Sequence, residues 1–172
     1  MCHSMIRALL IPGLVLSAAL TPLSAYGQSV RVLGDHNAWS SYTTTESAGK
    51  ICFAMSQPTT TDPEPDGYGD AHFYITHRVN DGTRSELNLV AGYEFAPEST
   101  ANMSIGGQSF ALYTQGDSAW LADTSQTAAA NQAIRAGSTM VIEGTTTRGI
   151  KVRQTFSLMG ATAASRAIDA EC

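Results

Sequence analysis

Apolar and polar side chains alternate along several short stretches of the chain, which is the pattern of strands with one buried face. Residues 71–79 alternate between an apolar set and a polar set, namely Ala71, Phe73, Ile75 and Val79 against His72, Tyr74, Thr76 and Arg78. Residues 150–158 repeat the pattern, with an apolar face of Ile150, Val152, Phe156 and Leu158. Both stretches are predicted to be half-buried strands.

Turn signals separate these strands from their neighbours. Asn80-Asp81-Gly82 follows the first strand directly, and Asp-Gly tolerates the positive φ angles of a tight hairpin turn. Gly106-Gly107 predicts a second hairpin. Further strands are predicted at residues 39–43, 51–56, 84–93, 101–105, 108–114, 119–122 and 139–145, and helices at residues 123–136 and 161–170. This order predicts a mainly β fold, an antiparallel β-sandwich with two short helices, one near the C-terminus.

The N-terminal residues 1–27 have the pattern of a cleaved signal peptide. Arg7 precedes an apolar run over residues 8–20, and Ala25-Tyr26-Gly27 supplies small residues for cleavage. The run is shorter than a membrane span and contains Pro12. We therefore expect export, a single domain over residues 28–172, and no transmembrane segment after cleavage.

The composition narrows the function classes further. The chain is 43% apolar and 15% charged, which excludes a disordered or multi-span membrane protein. Ten basic residues against fifteen acidic ones give a net charge of −5, and the acids are scattered. Nucleic acid is therefore not an expected partner.

Two cysteines remain in the predicted mature chain, Cys52 and Cys172. Thiols pair and persist in the oxidising environment of exported proteins, so a disulfide between them is predicted. Two free thiols are the alternative, because sequence does not show whether the two Cα atoms lie within about 7 Å.

Residues 57–70 are predicted to form a long exposed loop, because proline cannot donate to a central ladder and this segment holds three prolines. Its acidic side chains partly imitate a calcium loop, but Phe73 stands where a bidentate glutamate is needed. No metal or cofactor is predicted. A solvated acidic loop is the preferred interpretation. Partner binding is a further option for it, with Asp62, Glu64, Asp66, Tyr68 and Asp70 as the candidate residues.

Candidate catalytic residues do not form a set. There is no Gly-x-Ser-x-Gly motif, and His72 and His77 point to opposite faces of one strand. These histidines and His36 are expected to be solvent-exposed or satisfied by neighbours. A small periplasmic hydrolase or metal-assisted enzyme near residues 57–70 remains the alternative function, but no catalytic residue is assigned.

Aromatic residues are spread over nearly every predicted strand, as expected if they fill the space between two sheets. The residues predicted to do so are Trp39, Tyr42, Tyr93, Phe95, Tyr113, Trp120 and Phe156. The alternative is a surface groove for a partner, with Tyr68, Tyr74 or Tyr93 exposed. The basic group Arg148, Lys151 and Arg153 is interpreted as solvated edge residues.

Several motifs together resemble the invasion-associated locus B family of exported bacterial proteins, over residues 39–172. They are Lys50-Ile51-Cys52-Phe53-Ala54-Met55-Ser56-Gln57-Pro58, Gly92-Tyr93-Glu94-Phe95, residues 113–120, residues 144–149, residues 156–160 and the terminal Cys172. Gln154 departs from the pattern, which has an acid there. The resemblance implies a periplasmic or envelope-exposed β-sandwich with no established enzymatic activity or cofactor, linked in some pathogens to host-cell entry. It carries over only Cys52 and Cys172, as a structural disulfide.

The predicted function is an exported, non-enzymatic binding or envelope-interaction protein that is periplasmic or associated with the outer surface. Host-cell interaction or invasion is one role that fits this class, and envelope stress or maintenance is another. The expected partner is a protein or envelope component that the sequence does not identify.

Overall fold

The structure, a computed structural model, describes residues 29–172, and the predicted signal peptide lies outside these residues. Eleven strands form one antiparallel sheet in the order β1-β2-β3-β5-β6-β9-β8-β7-β10-β11-β4. The strands are β1 (Arg31–His36), β2 (Trp39–Glu46), β3 (Gly49–Ser56), β4 (Thr60–Asp62), β5 (His72–Arg78), β6 (Thr83–Val90), β7 (Thr100–Ile105), β8 (Gln108–Gln115), β9 (Ser118–Leu121), β10 (Thr139–Thr145) and β11 (Lys151–Ser157). The helices are α1 (Thr127–Ala136), which follows a 3₁₀ turn at Thr124–Gln126, and α2 (Ala161–Glu171).

The predicted fold class is confirmed, with two additions at the edges of the sheet. β1 has only weak alternation and a bulge between Val32 and Gly34, so its sequence does not resemble a strand. β4 lies inside the predicted loop at residues 57–70, where three residues pair with β11. That segment is therefore not a continuous loop. Its three prolines lie outside the three paired residues, and β4 is an edge strand, where proline is tolerated nearby.

The sheet folds over so that its two halves face each other. β5 and β11 are six positions apart in the strand order, which would separate them by about 29 Å in a flat sheet. The rings of Phe73 on β5 and Phe156 on β11 nevertheless lie 6.0 Å apart. Trp39 on β2 donates its indole N–H to the carbonyl of Ser157 at 2.9 Å. The apolar core fills the space between these two layers.

Side-chain parity decides what enters this core. On β5, Phe73, Ile75 and His77 point inward and are buried, while His72 and Tyr74 are half-buried on the outer face. The predicted inward position of Val79 is wrong, because β5 ends at Arg78 and the side chain is 45% exposed. No helix within residues 29–172 has the length and apolar character needed to cross a membrane.

Helix α2 is attached at both of its ends to the part of the sheet that β1, β2 and β3 form. It begins after Gly160, whose φ of 98° favours glycine and where a Cβ would collide with the carbonyl oxygen of His36. At its other end, Cys172 forms a disulfide with Cys52 on β3, with the two Cα atoms 6.0 Å apart. Near that bond, the Asp169 carboxylate accepts from His77 at 2.8 Å.

Removing the disulfide should strongly destabilise the fold. The bond closes a loop with a sequence separation of 120, for which the chain-entropy model gives about 5 kcal/mol. We expect the double variant Cys52→Ser/Cys172→Ser to lose most of that amount in its free energy of unfolding, measured by urea denaturation. Reduction of the unmodified protein should reproduce the loss, and equal stabilities of the oxidised and reduced forms would contradict the prediction.

The C-terminal end of α2 should also make stability depend on pH. The side chains of Lys50 and Arg31 contact the Glu171 carboxylate at 2.6 and 2.8 Å. Hydrogen bonds from these two side chains hold the pKa of this carboxyl below its ordinary value of 4.5, and Lys50 has the larger effect. A carboxyl whose pKa is lowered by folding adds stability above its ordinary pKa and loses that contribution as the pH falls through the lowered one.

We therefore expect Glu171→Gln to be less stable than the unmodified protein at pH 7, with the difference shrinking as the pH drops below about 4.5. Urea denaturation at a series of pH values measures this difference. Glu46→Gln, at the exposed end of β2, is the matched control, since Glu46 forms no ion pair within residues 29–172. A difference for Glu171→Gln that stays constant from pH 7 to pH 3 would contradict the pKa assignment.

Candidate binding site

The predicted partner-binding loop lies against the end of the sheet. Asp62 ends β4 opposite Arg153 of β11. Asp66 pairs with Arg148 at 3.1 Å, and both side chains are exposed, so this ion pair contributes little stability. The other acidic members of the loop, Glu64 and Asp70, are exposed. A role of this loop in partner binding stays a prediction.

Tyr68 connects this loop to the interior of the protein through hydrogen bonds of its hydroxyl group. Its hydroxyl shares a hydrogen bond with Thr61 Oγ1 at 2.8 Å and accepts from Gln154 Nε2 at 3.0 Å. The same Gln154 amide donates to the carbonyl of Ala91 at 2.8 Å, and the Gln154 side chain is fully buried. A carboxylate at this position would have no hydrogen to donate to Ala91, so this contact requires the amide of Gln154.

Two of the three tyrosines considered for a surface groove are therefore engaged internally. Tyr93 is buried, which confirms its predicted position in the core and contradicts the alternative surface position. Burial and the neighbouring Tyr68 phenol raise the pKa of Tyr93 well above the ordinary value for tyrosine. Tyr68 is half-buried and held by its hydrogen bonds. Of the three, only Tyr74 lies on the outer face of the sheet.

The three histidines considered as candidate catalytic residues each have a hydrogen-bonding neighbour. His36 Nε2 lies 3.1 Å from Ser41 Oγ, and His72 Nε2 lies 3.1 Å from the Gln57 amide. On the inner face, His77 Nδ1 accepts the backbone N–H of Ser85 at 2.9 Å, so the ring proton is on Nε2 and points to Asp169. Both ring nitrogens of His77 are thus occupied, and its role in this geometry is structural.

No metal-binding cluster accompanies these residues. Within residues 29–172, no three histidine, cysteine, aspartate or glutamate side chains lie close enough together to hold a metal ion.

Aromatic side chains form a row across the outer face of the first half of the sheet. Tyr42 on β2 stacks on Phe53 of β3 with ring centroids 5.1 Å apart, and Phe53 lies 6.1 Å from Tyr74 of β5. Beyond Asn88 of β6, the row resumes with Trp120 of β9 and Tyr113 of β8, which stack at 5.4 Å. We call the five rings the aromatic ladder: Tyr42, Phe53, Tyr74, Trp120 and Tyr113.

Three members of the aromatic ladder were predicted to fill the core, and that prediction is wrong for Tyr42, Tyr113 and Trp120. Their strand neighbours take the inward positions, since Leu112 and Leu121 are buried. Side chains alternate along a strand, so Tyr113 and Trp120 must face outward. Tyr113 is 47% exposed, and the other ladder residues are half-buried.

The outer face of the second half of the sheet has a different character. One row of paired residues crosses it from β7 to β4, and every member of this row is polar or charged. The members are Asn102, Glu143, Arg153 and Asp62. Arg153 and Glu143 form an exposed ion pair at 3.1 Å. The aromatic ladder is therefore confined to one half of a sheet whose other half has an ordinary solvated surface.

The fold and this surface define a class: a disulfide-closed antiparallel β protein with a partly exposed aromatic face. A family model described as "Invasion associated locus B (IalB) protein" matches residues 39–169. The chain belongs to the invasion associated locus B family, as its motifs predicted.

A solved structure agrees with the architecture. The crystal structure of invasion associated protein b from Bartonella henselae is similar with a TM-score of 0.56 and 15% sequence identity, covering 80% of this chain and 95% of that chain. At this identity, the likeness concerns the fold. Among curated proteins, none matches the chain.

Proposed function

We propose that this protein is exported to the cell envelope and acts there as a non-enzymatic binding protein that holds carbohydrate chains on its aromatic ladder. The observation that carries the proposal is the confinement of five partly exposed rings to one half of the outer sheet face. Exposed aromatic clusters of this kind mark binding surfaces, because leaving them in water has a cost in free energy.

Carbohydrate suits this surface because a sugar ring has an apolar C–H face and a rim of hydroxyl groups. The ladder offers flat apolar rings for the first, and its immediate neighbours offer polar groups for the second. Ser40, Asn88 and Thr100 stand in the same cross-strand row as Tyr74, Trp120 and Tyr113. Burial raises the pKa of the Tyr74 phenol, so this ring stays neutral and keeps its hydroxyl as a donor.

Family membership supports export and an envelope location for this chain, and the Cys52–Cys172 disulfide is compatible with an oxidising compartment. The family description links such proteins to invasion, and a glycan-binding face would serve contact with a host cell as well as attachment to the bacterium's own envelope. Both ring nitrogens of His77 are engaged in hydrogen bonds within the fold, which argues against catalysis at that histidine.

Binding through the ladder is tested by co-sedimentation of the exported protein with purified cell-wall sacculi and with outer-membrane vesicles. We expect sedimentation with at least one of them, and at least about tenfold weaker retention of Tyr74→Ala/Tyr113→Ala, since aromatic side chains dominate interface energies. The matched control is Val79→Ala/Met159→Ala, which removes two exposed apolar side chains away from the ladder.

Equal retention of the ladder variant and the unmodified protein would contradict the proposal. The supernatant is also assayed for released sugar fragments. We expect none, and release that depends on the protein would favour the hydrolase alternative. Circular dichroism of both variants checks that the sheet is intact.

Export is tested by fractionating cells that express the full chain. We expect a processed protein beginning at Gln28 outside the cytoplasm, and an unprocessed cytoplasmic protein when residues 1–27 are deleted apart from the initiating Met. Protease treatment of intact and osmotically opened cells then distinguishes a surface location from a periplasmic one. Full-length protein retained in the cytoplasm would contradict the proposal.

A further inference from the structure

The aromatic ladder opens at its Trp120–Tyr113 end into a groove. A recess of about 360 Å³ lies beside these two rings. A larger recess of about 720 Å³ lies along α1, from the 3₁₀ turn before the helix to its last residue, Ala136. The two recesses share the lining residues Arg84, Thr124 and Thr127 and are therefore adjacent. We call the combined space the α1 groove. Its concave shape suits a chain-like or small ligand better than a flat protein surface.

The side chains that line the α1 groove include two arginines and one glutamate, so the lining has a net positive charge. Arg84 forms no ion pair with any residue from 29 to 172, and Arg135 pairs at 3.2 Å with Asp169. These two arginines are the charged residues that line the larger recess. Glu86 lines the smaller recess, but its carboxylate is paired with Arg78 at 3.3 Å. Arg84 is therefore the lining charge that no ion pair within residues 29–172 neutralises, which is a local exception in a chain with a net charge of −5.

The wall that presents Arg84 is held in an unusual conformation. At this point in the β5–β6 ladder, Arg84 and Ser85 together stand opposite His77, which is the arrangement of a β-bulge. Ser85 has a φ of 54°, in the left-handed region that non-glycine residues rarely adopt. Its N–H donates to His77 Nδ1 and its carbonyl accepts from Asn131 Nδ2 at 3.1 Å. Conformations of this kind persist only where the surroundings hold them, and they cluster at functional sites.

Asn131 adds an unused hydrogen-bond acceptor at the base of the groove. Its side chain lines the larger recess and the residue is only 7% exposed. Both of its observed bonds use Nδ2, to the carbonyls of Ser85 and Thr127, and these acceptors fix the orientation of the amide. Oδ1 is buried and has no partner within residues 29–172. Buried acceptors are normally satisfied, so this unpartnered oxygen is an exception that lies next to the groove.

From these features, and resting on the proposed function, we infer that the α1 groove recognises a sparsely acidic glycan. One sugar ring lies against Tyr113 and Trp120, and the carboxylate or phosphate of a neighbouring sugar pairs with Arg84 and Arg135. Hydroxyl or acetamido groups reach the polar side chains around the start of α1, which are Thr124, Ser125 and Thr127. Guanidinium groups suit both anions, because their N–H fork matches two oxygen atoms at once.

The inference is tested by titrating the exported protein with three oligosaccharides. Two represent the possible sources: the phosphorylated core oligosaccharide of lipopolysaccharide and a hyaluronan hexasaccharide, which has one carboxylate per disaccharide. The third is the same hexasaccharide with its carboxyls reduced to alcohols. Calorimetry gives the affinities. The chain has two tryptophans, and Trp39 is only 1% exposed. A ligand-dependent change in tryptophan fluorescence therefore reports on Trp120, which belongs to the aromatic ladder.

We expect at least one acidic oligosaccharide to bind at least tenfold more tightly than the reduced one, with a change in fluorescence that Trp120→Phe removes. Arg84→Gln should abolish this preference and leave the affinity for the reduced hexasaccharide unchanged. Arg153→Gln, which removes the same charge from the polar half of the sheet, should keep the preference. The acidic oligosaccharide that binds identifies the bacterial or the host source.

Other outcomes separate this inference from the proposed function. Equal binding of acidic and reduced oligosaccharides, or an equal loss in Arg84→Gln and Arg153→Gln, overturns the inference and leaves a glycan-binding ladder in place. Failure of all three oligosaccharides, with the ladder variant still retained on envelope material, overturns both. Folding of Arg84→Gln is checked by its thermal unfolding, which should be unchanged because the side chain is exposed.

Discussion

The packing of β5 against β11 is the contact on which the rest of the molecule depends. It turns one long sheet into two facing layers, with the rings of Phe73 and Phe156 6.0 Å apart between them. Strand parity then leaves each outward position to solvent or to a partner. The aromatic ladder follows from this closure, since the inward places beside Trp120 are taken by Ala119 and Leu121.

The groove is tied to the same framework through a buried histidine. His77 connects Asp169 of α2 to the backbone of Ser85, and Asp169 also holds Arg135 of α1. One carboxylate therefore joins the disulfide-anchored helix, the bulged strand and an arginine of the groove. Loosening of α2 would disturb the position of Arg135 as well as the stability of the fold, so the disulfide contributes to the site indirectly.

Local pattern was sufficient for the strands with strong alternation and for the hairpins marked by glycine, and it predicted both helices. It failed where the decisive partner is distant in sequence. β4 is a strand only because it pairs with β11, which lies about ninety residues further along the chain. Alternation alone could have placed Tyr113 outside, opposite in parity to Leu112. The register that stacks Tyr113 on Trp120 could not be derived, because it is a property of the assembled sheet.

The acidic character of the chain and an arginine-bearing groove are compatible because the two act over different distances. At physiological salt, charges more than about 8 Å apart are largely screened, so Arg84 acts on a ligand only at close range. A nucleic acid has a charge on every nucleotide and would place many of them against an acidic surface. A glycan with isolated acidic groups places one anion at Arg84 and Arg135, and neutral sugars elsewhere. The same charge distribution thus disfavours dense polyanions and permits a sparsely acidic ligand.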